Sequence, residues 1–321
     1  MSEFNYPVLN SFLDLSTVEN DSGQYANELT SLDGFLMASI NEDVGTGDVT
    51  TIACVPEAAI SKGFFIAKEP GVISGIGLLD RIFKLFDDAV CVTPLVSDGD
   101  TVKAGDIIAE ISGPSRAILT GERTALNLLQ HMSGIATKTA EAVREISGTK
   151  TKILDTRKTT PGLRALDKHA VKCGGGTNHR FNLADGVLIK DNHIKAAGGI
   201  TNAVTKVRES LNATNLSTIS RESDRNDEIT VKKLQIEVET ENLEQVKEAL
   251  AAGADIIMLD NMTPELMAEA VKLIDGQALT EASGNMGERD LKKIAKTGVD
   301  FISIGALTHS IKAMDISLKF N

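Results

Sequence analysis

The hydrophobic pattern changes its period at about residue 150. Before it, Leu32, Phe35, Leu36 and Ile40 recur at helical spacing, and the turn-rich stretch Glu42–Asp48 follows. Residues 60–118 read as short strands broken by turns, at 63–68, 71–73, 90–96 and 107–111, with 96–106 patterned turn, strand, turn. Glu122 then opens a predicted long helix, capped at Thr120 or Gly121, that carries Leu126, Leu129, Ile135, Val143 and Ile146 on one stripe. Residues 1–30 are polar with scattered apolar positions and suit an arm or a first helix.

After residue 150 short apolar runs alternate with helical segments: Ile153–Leu154, Gly186–Ile189, Leu234–Val238, Ile256–Leu259, Ala278–Thr280 and Phe301–Ile304. The last three begin about 22 residues apart, the length of one strand plus one helix. Such βα repeats with apolar strands predict an α/β fold, a parallel sheet covered by helices and built either as a barrel or as a doubly wound sheet. The polar stretch 211–232 interrupts the rhythm as a surface insertion.

Composition narrows the function. Lys and Arg number 33 against 45 Asp and Glu, a formal net charge of −12, which excludes a general nucleic-acid binder. No apolar run is long enough to cross a bilayer. Cys54, Cys91 and Cys173 are far apart and form neither a disulfide framework nor a zinc ribbon. Ten acids precede the first basic residue, Lys62, so a cytoplasmic protein is expected. Against this acidic background, residues 151–195 hold nine Lys/Arg and four acids, a local +5 that suits a pocket for a small polyanion.

Each apolar run is followed by polar groups, and in such folds the active site lies at the carboxyl ends of the strands. Arg157, Lys158, His179, Arg180 and Lys190 are cations suited to phosphate or carboxylate. Glu239 and Asp260 can hold ribose hydroxyls, coordinate Mg²⁺ directly or through water, offset developing positive charge, or simply cap strand ends. Ser283-Gly284-Asn285 and Gly305-Ala306 are expected to open the last two helices, where backbone N–H groups cradle a phosphate. Lys190 after a buried strand is also readable as a Schiff-base lysine. Gly174–Gly176 reads as a flexible lid, His131 as a satisfied core or interface histidine, and Cys173 as inert.

Three motifs carry a resemblance: 155–164 (Asp-Thr-Arg-Lys-Thr-Thr-Pro-Gly-Leu-Arg), 168–180 (Lys-His-Ala-Val-Lys-Cys-Gly-Gly-Gly-Thr-Asn-His-Arg) and 185–193 (Asp-Gly-Val-Leu-Ile-Lys-Asp-Asn-His). Glu42–Asp48, Glu122–Asn127, Glu237-Val-Glu239, Leu259-Asp-Asn261 and Glu281-Ala-Ser-Gly284 support them in the same order. The chain resembles the quinolinate phosphoribosyltransferases, the carboxylating nicotinate-nucleotide pyrophosphorylases of NAD synthesis. The resemblance implies an N-terminal α/β sandwich over 32–148 and an incomplete TIM-like α/β barrel of six or seven parallel strands over 149–310. Residues 1–31 would form an arm, and 311–321 would pack back on the N-terminal domain. The family works as a homodimer in which one subunit's sandwich covers the other's barrel mouth. It joins quinolinate to 5-phosphoribosyl-1-pyrophosphate (PRPP) with Mg²⁺, giving nicotinate mononucleotide, pyrophosphate and CO₂.

By the same resemblance, Arg157, His179 and Arg180 clamp the two carboxylates of quinolinate, joined by Arg123 across the dimer interface, with Thr156 among the substrate contacts. Lys158 and Lys190 serve the pyrophosphate and the reacting carbon. Glu239 and Asp260 serve ribose hydroxyls and Mg²⁺ and stabilise an oxocarbenium-like centre; Lys158, Lys190, Glu239 and Asp260 form the catalytic set. Ser283, Gly284, Asn285, Gly305 and Ala306 hold the 5-phosphate, although many bacterial relatives have a glycine where this chain has Asn285. A nicotinate phosphoribosyltransferase without decarboxylation is the nearest alternative, and it leaves the second-carboxylate clamp with no partner.

Overall fold

The computed structural model describes residues 32–214, 217–220 and 230–320, so the arm expected at 1–31 lies outside the described residues. Contacts divide the described residues into two compact units, one of 32–140, 160–175 and 311–320 and one of 141–159, 176–214, 217–220 and 230–310.

In the first unit, helix α1 (Leu32–Val44) buries Leu32, Leu36 and Ile40. Helix α2 (Val49–Cys54) is capped by Asp48, whose carboxylate accepts the Thr51 N–H at 2.9 Å. Strand β1 (Ile60–Ala67) buries Gly63, Phe65 and Ala67 and leaves the residues between them partly exposed, the alternation of a sheet packed on one face. It lies in a four-stranded antiparallel sheet ordered β14-β1-β5-β3, with β3 at Cys91–Pro94, β5 at Ile107–Pro114 and β14 at Ile316–Phe320. Strand β14 brings the C-terminal segment back to this unit, pairing Phe320 with Gly63 and Ile316 with Ala67. The expected turn-strand-turn at 96–106 becomes β4 (Thr101–Val102), paired with β2 (Gly71–Val72). Helix α3 (Ile76–Lys84) adds Phe83, whose ring lies 6.3 Å from that of Phe65.

The long helix α4 (Ser115–Glu145) starts well before the expected Glu122. Gly121 is not a cap: a Cβ there would lie 2.9 Å from Phe86 and 3.0 Å from Phe83, so its lack of a side chain lets the helix approach those rings. Helix α5 (Arg164–Cys173) belongs to this unit although it lies between barrel strands in the chain. Its last carbonyls are met by Gly174, whose Cβ would sit 2.4 Å from the Ala136 carbonyl and 2.6 Å from Thr139. The flexible lid expected at Gly174–Gly176 is therefore, at its first residue, a close helix crossing. His131 has a partner in the fully buried Asp167 at 2.7 Å.

The second unit is a six-stranded parallel sheet of β6 (Lys152–Leu154), β7 (Val187–Ile189), β10 (Ile236–Thr240), β11 (Ile256–Asp260), β12 (Leu279–Ser283) and β13 (Phe301–Ser303). The order β6-β13-β12-β11-β10-β7 decides between the two architectures left open above. A doubly wound sheet reverses at a switch point, whereas here β10 to β13 step in one direction and the last strand meets the first, as in a barrel. Thr177 bridges Leu154 in parallel beyond β6, and among the described residues nothing pairs that edge with β7, so the barrel is incomplete. Strand β11 is buried at four of its five residues, as expected of a strand covered on both faces. The insertion is only partly described: helix α7 (Ile200–Thr214) runs into its start, and β8 (Ser217–Ser220) pairs antiparallel with β9 (Thr230–Lys233).

Candidate active site

Chain direction and register carry the polar residues of this unit to one end of the parallel strands, in two layers. The deeper layer is built of acids and one imidazole. Asp155, directly after β6, is fully buried and accepts the His179 N–H at 2.8 Å. His179 Nε2 lies 3.0 Å from Glu237 of β10 and 3.4 Å from Glu281 of β12. One donor atom from each of these three buried residues falls within 4.8 Å of the others. Burial disfavours a charged imidazole, but the two carboxylates outweigh it and raise the His179 pKa to about 10. The Arg180 N–H lies 2.8 Å from Nδ1, so it orients the ring with Nε2 facing the acids and opposes the second ring proton that they favour. Burial, with Glu281 adding repulsion, pushes the Glu237 carboxyl up to about 7. Glu281 also feels burial, but His179 and the Ser303 hydroxyl draw its pKa down.

The outer layer lies at the strand ends. Glu237 and Glu239 are two residues apart on β10 and so face the same side. Val238 pairs with Ile189, so the next residues, Glu239 and Lys190, meet, with Lys190 Nζ 3.1 Å from Glu239 Oε2. Lys190 is half exposed, while the Glu239 side chain is only 12% exposed. Asp260 and Ser283 are register partners at the ends of β11 and β12. Asn261, at φ +55°, donates through Nδ2 to Asp260 at 2.6 Å and through its backbone N–H to the Ser283 carbonyl at 3.0 Å.

Gly284 cannot be replaced without disturbance. It has φ +96°, and a Cβ there would lie 2.2 Å from Asn261 Oδ1 and 2.8 Å from the Asn261 backbone nitrogen. Asn285 follows at φ +51°, a left-handed conformation that asparagine tolerates. The expectation that both small-residue steps open helices holds for Gly305, which caps a helix starting at Ala306, and needs correction for 283–285. Helices α8 (Leu243–Ala251) and α9 (Pro264–Ile274) follow β10 and β11, but after β12 the chain makes one 3₁₀ turn, Met286–Glu288, before α10 (Leu291–Ala295), and after β13 α11 (Ala306–His309) has four residues. One 3₁₀ turn and one four-residue helix, not long helices, thus follow these two strands. The two turns touch, since a Cβ on Gly287 would be 2.8 Å from the Ala306 methyl. Lys158 joins them: its Cδ lies 2.9 Å from where a Gly305 Cβ would be, and its carbonyl accepts the Thr308 hydroxyl.

Around this cradle, Thr156 Oγ1 accepts the Lys158 N–H at 3.0 Å and Arg157 is half-buried. Arg180 is buried, its Nη1 donating to the Gly186 carbonyl at 2.8 Å. Arg123 belongs to the other unit, exposed on α4. Arg164, Lys168 and Lys172 of the basic segment also lie in that unit, on α5. Asp155, Glu237 and Glu281 are the inner groups that reading the chain by motif leaves without a role; the available signal was an acid inside or directly after an otherwise apolar strand.

The quinolinate phosphoribosyl transferase N-terminal domain matches residues 48–133, and the C-terminal domain of the same family matches 135–230 and 215–319. This chain belongs to the quinolinate phosphoribosyltransferase family. It is 44% identical over 277 residues to the probable nicotinate-nucleotide pyrophosphorylase [carboxylating] of Bacillus subtilis (strain 168), spanning 86% of this chain and 89% of that protein. It is 44% identical over 309 residues to the chloroplastic nicotinate-nucleotide pyrophosphorylase [carboxylating] of Arabidopsis thaliana, spanning 90% and 83%. The nicotinate-nucleotide pyrophosphorylase structure from Francisella tularensis superposes with a TM-score of 0.80 at 41% identity, covering 94% of this chain and all of that one. A quinolinate phosphoribosyltransferase thus has an N-terminal sheet unit and an incomplete parallel barrel here, as in its solved relatives. No described helix is long and apolar enough to cross a membrane.

Proposed function

We propose that the strand ends of the barrel unit transfer phosphoribosyl from PRPP to quinolinate with loss of CO₂, giving nicotinate mononucleotide and pyrophosphate. The observation that carries this is the pairing of Lys190 with Glu239 at the same carboxyl end of the parallel sheet as the turns where Lys158 meets Gly305. Cations for a polyanion and carboxylates for a developing positive centre thereby come together on one parallel sheet.

PRPP enters with its 5-phosphate against the turns 283–285 and 305–306, whose backbone N–H groups need no side chain to approach closely. Arg157 and Arg180, with Thr156, take the quinolinate carboxylates, and two guanidinium groups suit the dicarboxylate over nicotinate; His179, whose ring nitrogens face the inner acids and the Arg180 N–H, holds that end of the clamp in place. As the C1–pyrophosphate bond breaks, positive charge grows on the ribose, and Glu239 and Asp260 offset it. Lys158 and Lys190 neutralise the departing pyrophosphate. Once N1 of the pyridine is glycosylated, its positive charge stabilises the carbanion at the adjacent carbon, so CO₂ leaves without a covalent cofactor.

Glu239 and Asp260 offer the hard oxygen donors that Mg²⁺ prefers, and both lie at strand ends with one side toward water. They fit a Mg²⁺ held mainly by PRPP and water; bound there, the ion would withdraw charge from the pyrophosphate. Arg123 is exposed on α4, which supports its use by the second subunit of a homodimer. Three free cysteines suit a reducing compartment such as the cytoplasm.

The test is incubation of the purified chain with PRPP, Mg²⁺ and either quinolinate or nicotinate, following mononucleotide and CO₂. Product from quinolinate alone is expected. Product from nicotinate alone would overturn the acceptor, and no product from either would overturn the reaction.

A further inference from the structure

Outside the barrel unit, one cluster of side chains has the makings of a ligand site and is used by nothing described above. His169 and Cys173 are one turn apart on α5 and therefore share a face of that helix. Asp98, in the turn between β3 and β4, reaches the same place. Its Oδ2 lies 2.7 Å from His169 Nε2, and its Oδ1 accepts the Gly75 and Ile76 N–H groups, each at 2.9 Å. One donor atom from each of Asp98, His169 and Cys173 falls within 4.8 Å of the other two.

We propose that Asp98, His169 and Cys173 bind a thiophilic divalent cation of the zinc class, with water in the fourth position. The donor set is one sulfur, one imidazole nitrogen and one carboxylate oxygen, which suits Zn²⁺ and not the hard Mg²⁺ of the reaction. At Zn–N and Zn–O lengths of about 2.0–2.2 Å, tetrahedral ligand atoms stand roughly 3.3–3.6 Å apart. The His169–Asp98 contact must therefore open by less than 1 Å, roughly, for a metal to replace the proton that now sits between them. His169 is 28% and Asp98 25% exposed, which leaves space for that shift on the imidazole side and admits the water ligand.

The two backbone donors to Oδ1 do for Asp98 what outer hydrogen bonds do in metal centres, fixing the ligand's orientation before the ion arrives. Thiolate and carboxylate balance the two positive charges, and binding expels the thiol proton and the proton on Nε2. The hydrogen bond to Asp98, then that to Cys173, raises the His169 pKa to about 9, so protons compete with the metal and affinity grows with pH. The ion would tie α5 to the turn at Asp98 and to the start of α3, three segments distant in sequence.

The full-length chain, stripped with a chelator and kept reduced without Mg²⁺, is titrated with Co²⁺. A thiolate-to-cobalt charge-transfer band saturating at one equivalent is expected, together with the strong visible bands of a four-coordinate ion. Zn²⁺ should displace both and raise the melting temperature. Cys173→Ser and His169→Ala, checked for native circular dichroism, should lose the band, while Cys54→Ser/Cys91→Ser keeps it. No band in the unaltered chain, a band that survives Cys173→Ser, or a band lost with Cys54 and Cys91 would each overturn the assignment.

Discussion

Gly284→Ala offers the sharpest test of how the proposed phosphate cradle is held. At φ +96° an L-residue carries left-handed strain of about 1–2 kcal/mol. The new methyl also meets Asn261, at 2.2 Å from Oδ1 and 2.8 Å from the backbone nitrogen. The amide can swing away, but the nitrogen is held by its bond to the Ser283 carbonyl, so the backbone must shift. Overpacking of this kind costs about 1–3 kcal/mol, which with the strain makes roughly 2–5 kcal/mol. For a unit of this size that is a fall in Tm of roughly 4–20 °C. Gly276→Ala is the control: it sits at φ +72° with nothing within 4 Å of its Cβ, so it carries the strain alone. Because Asn261 also holds Asp260, Gly284→Ala should raise KM for PRPP, while Gly276→Ala should not. Thermal unfolding and steady-state kinetics on both variants decide it. If Gly284→Ala melts with Gly276→Ala and keeps its KM, the close approach to Asn261 is not what holds the cradle.

Three further outcomes are expected. Arg157→Ala should lower kcat/KM for quinolinate by about 10–150-fold, the worth of a charge-assisted hydrogen bond, without a change in circular dichroism; unchanged kinetics would remove Arg157 from the clamp. Mixing inactive Arg123→Ala and Lys190→Ala chains should restore part of the activity if sites are shared across a dimer, and no recovery after verified subunit exchange refutes sharing. The Glu237 carboxyl, raised to about 7 when folded, stabilises the fold below its unfolded pKa and loses that contribution as pH rises through 7. Wild-type Tm should therefore fall between about pH 4.5 and 7, and Glu237→Gln should flatten this slope; equal slopes would show that Glu237 does not titrate there.

Much of the barrel was legible because a parallel strand covered on both faces must be an apolar run, and all six runs became strands. The rule that chemistry follows such strands then pointed to Lys158, Lys190, Glu239, Asp260 and the glycine turns. The helix start at Ser115 was not legible, since Gly121 looks like a cap until Phe83 and Phe86 are found against it. Nor was the 3₁₀ turn after β12, where Gly287 packs on Ala306, nor the shortness of the helix that Gly305 opens after β13.

The sequence by itself determined the strands, the local charge of residues 151–195 and the motifs of a quinolinate phosphoribosyltransferase, because periodicity and motif are properties of neighbours along the chain. Pairing decided the rest. Register set Glu239 beside Lys190 and Asp260 beside Ser283. Three strands and the segment at His179 had to converge before Glu237 and Glu281 became a coupled pair around one imidazole. Cys173, inert when read alone, gained His169 from one helix turn and Asp98 from 71 residues before that histidine. Interaction energies depend on distances through space, and those exist only once the chain has folded.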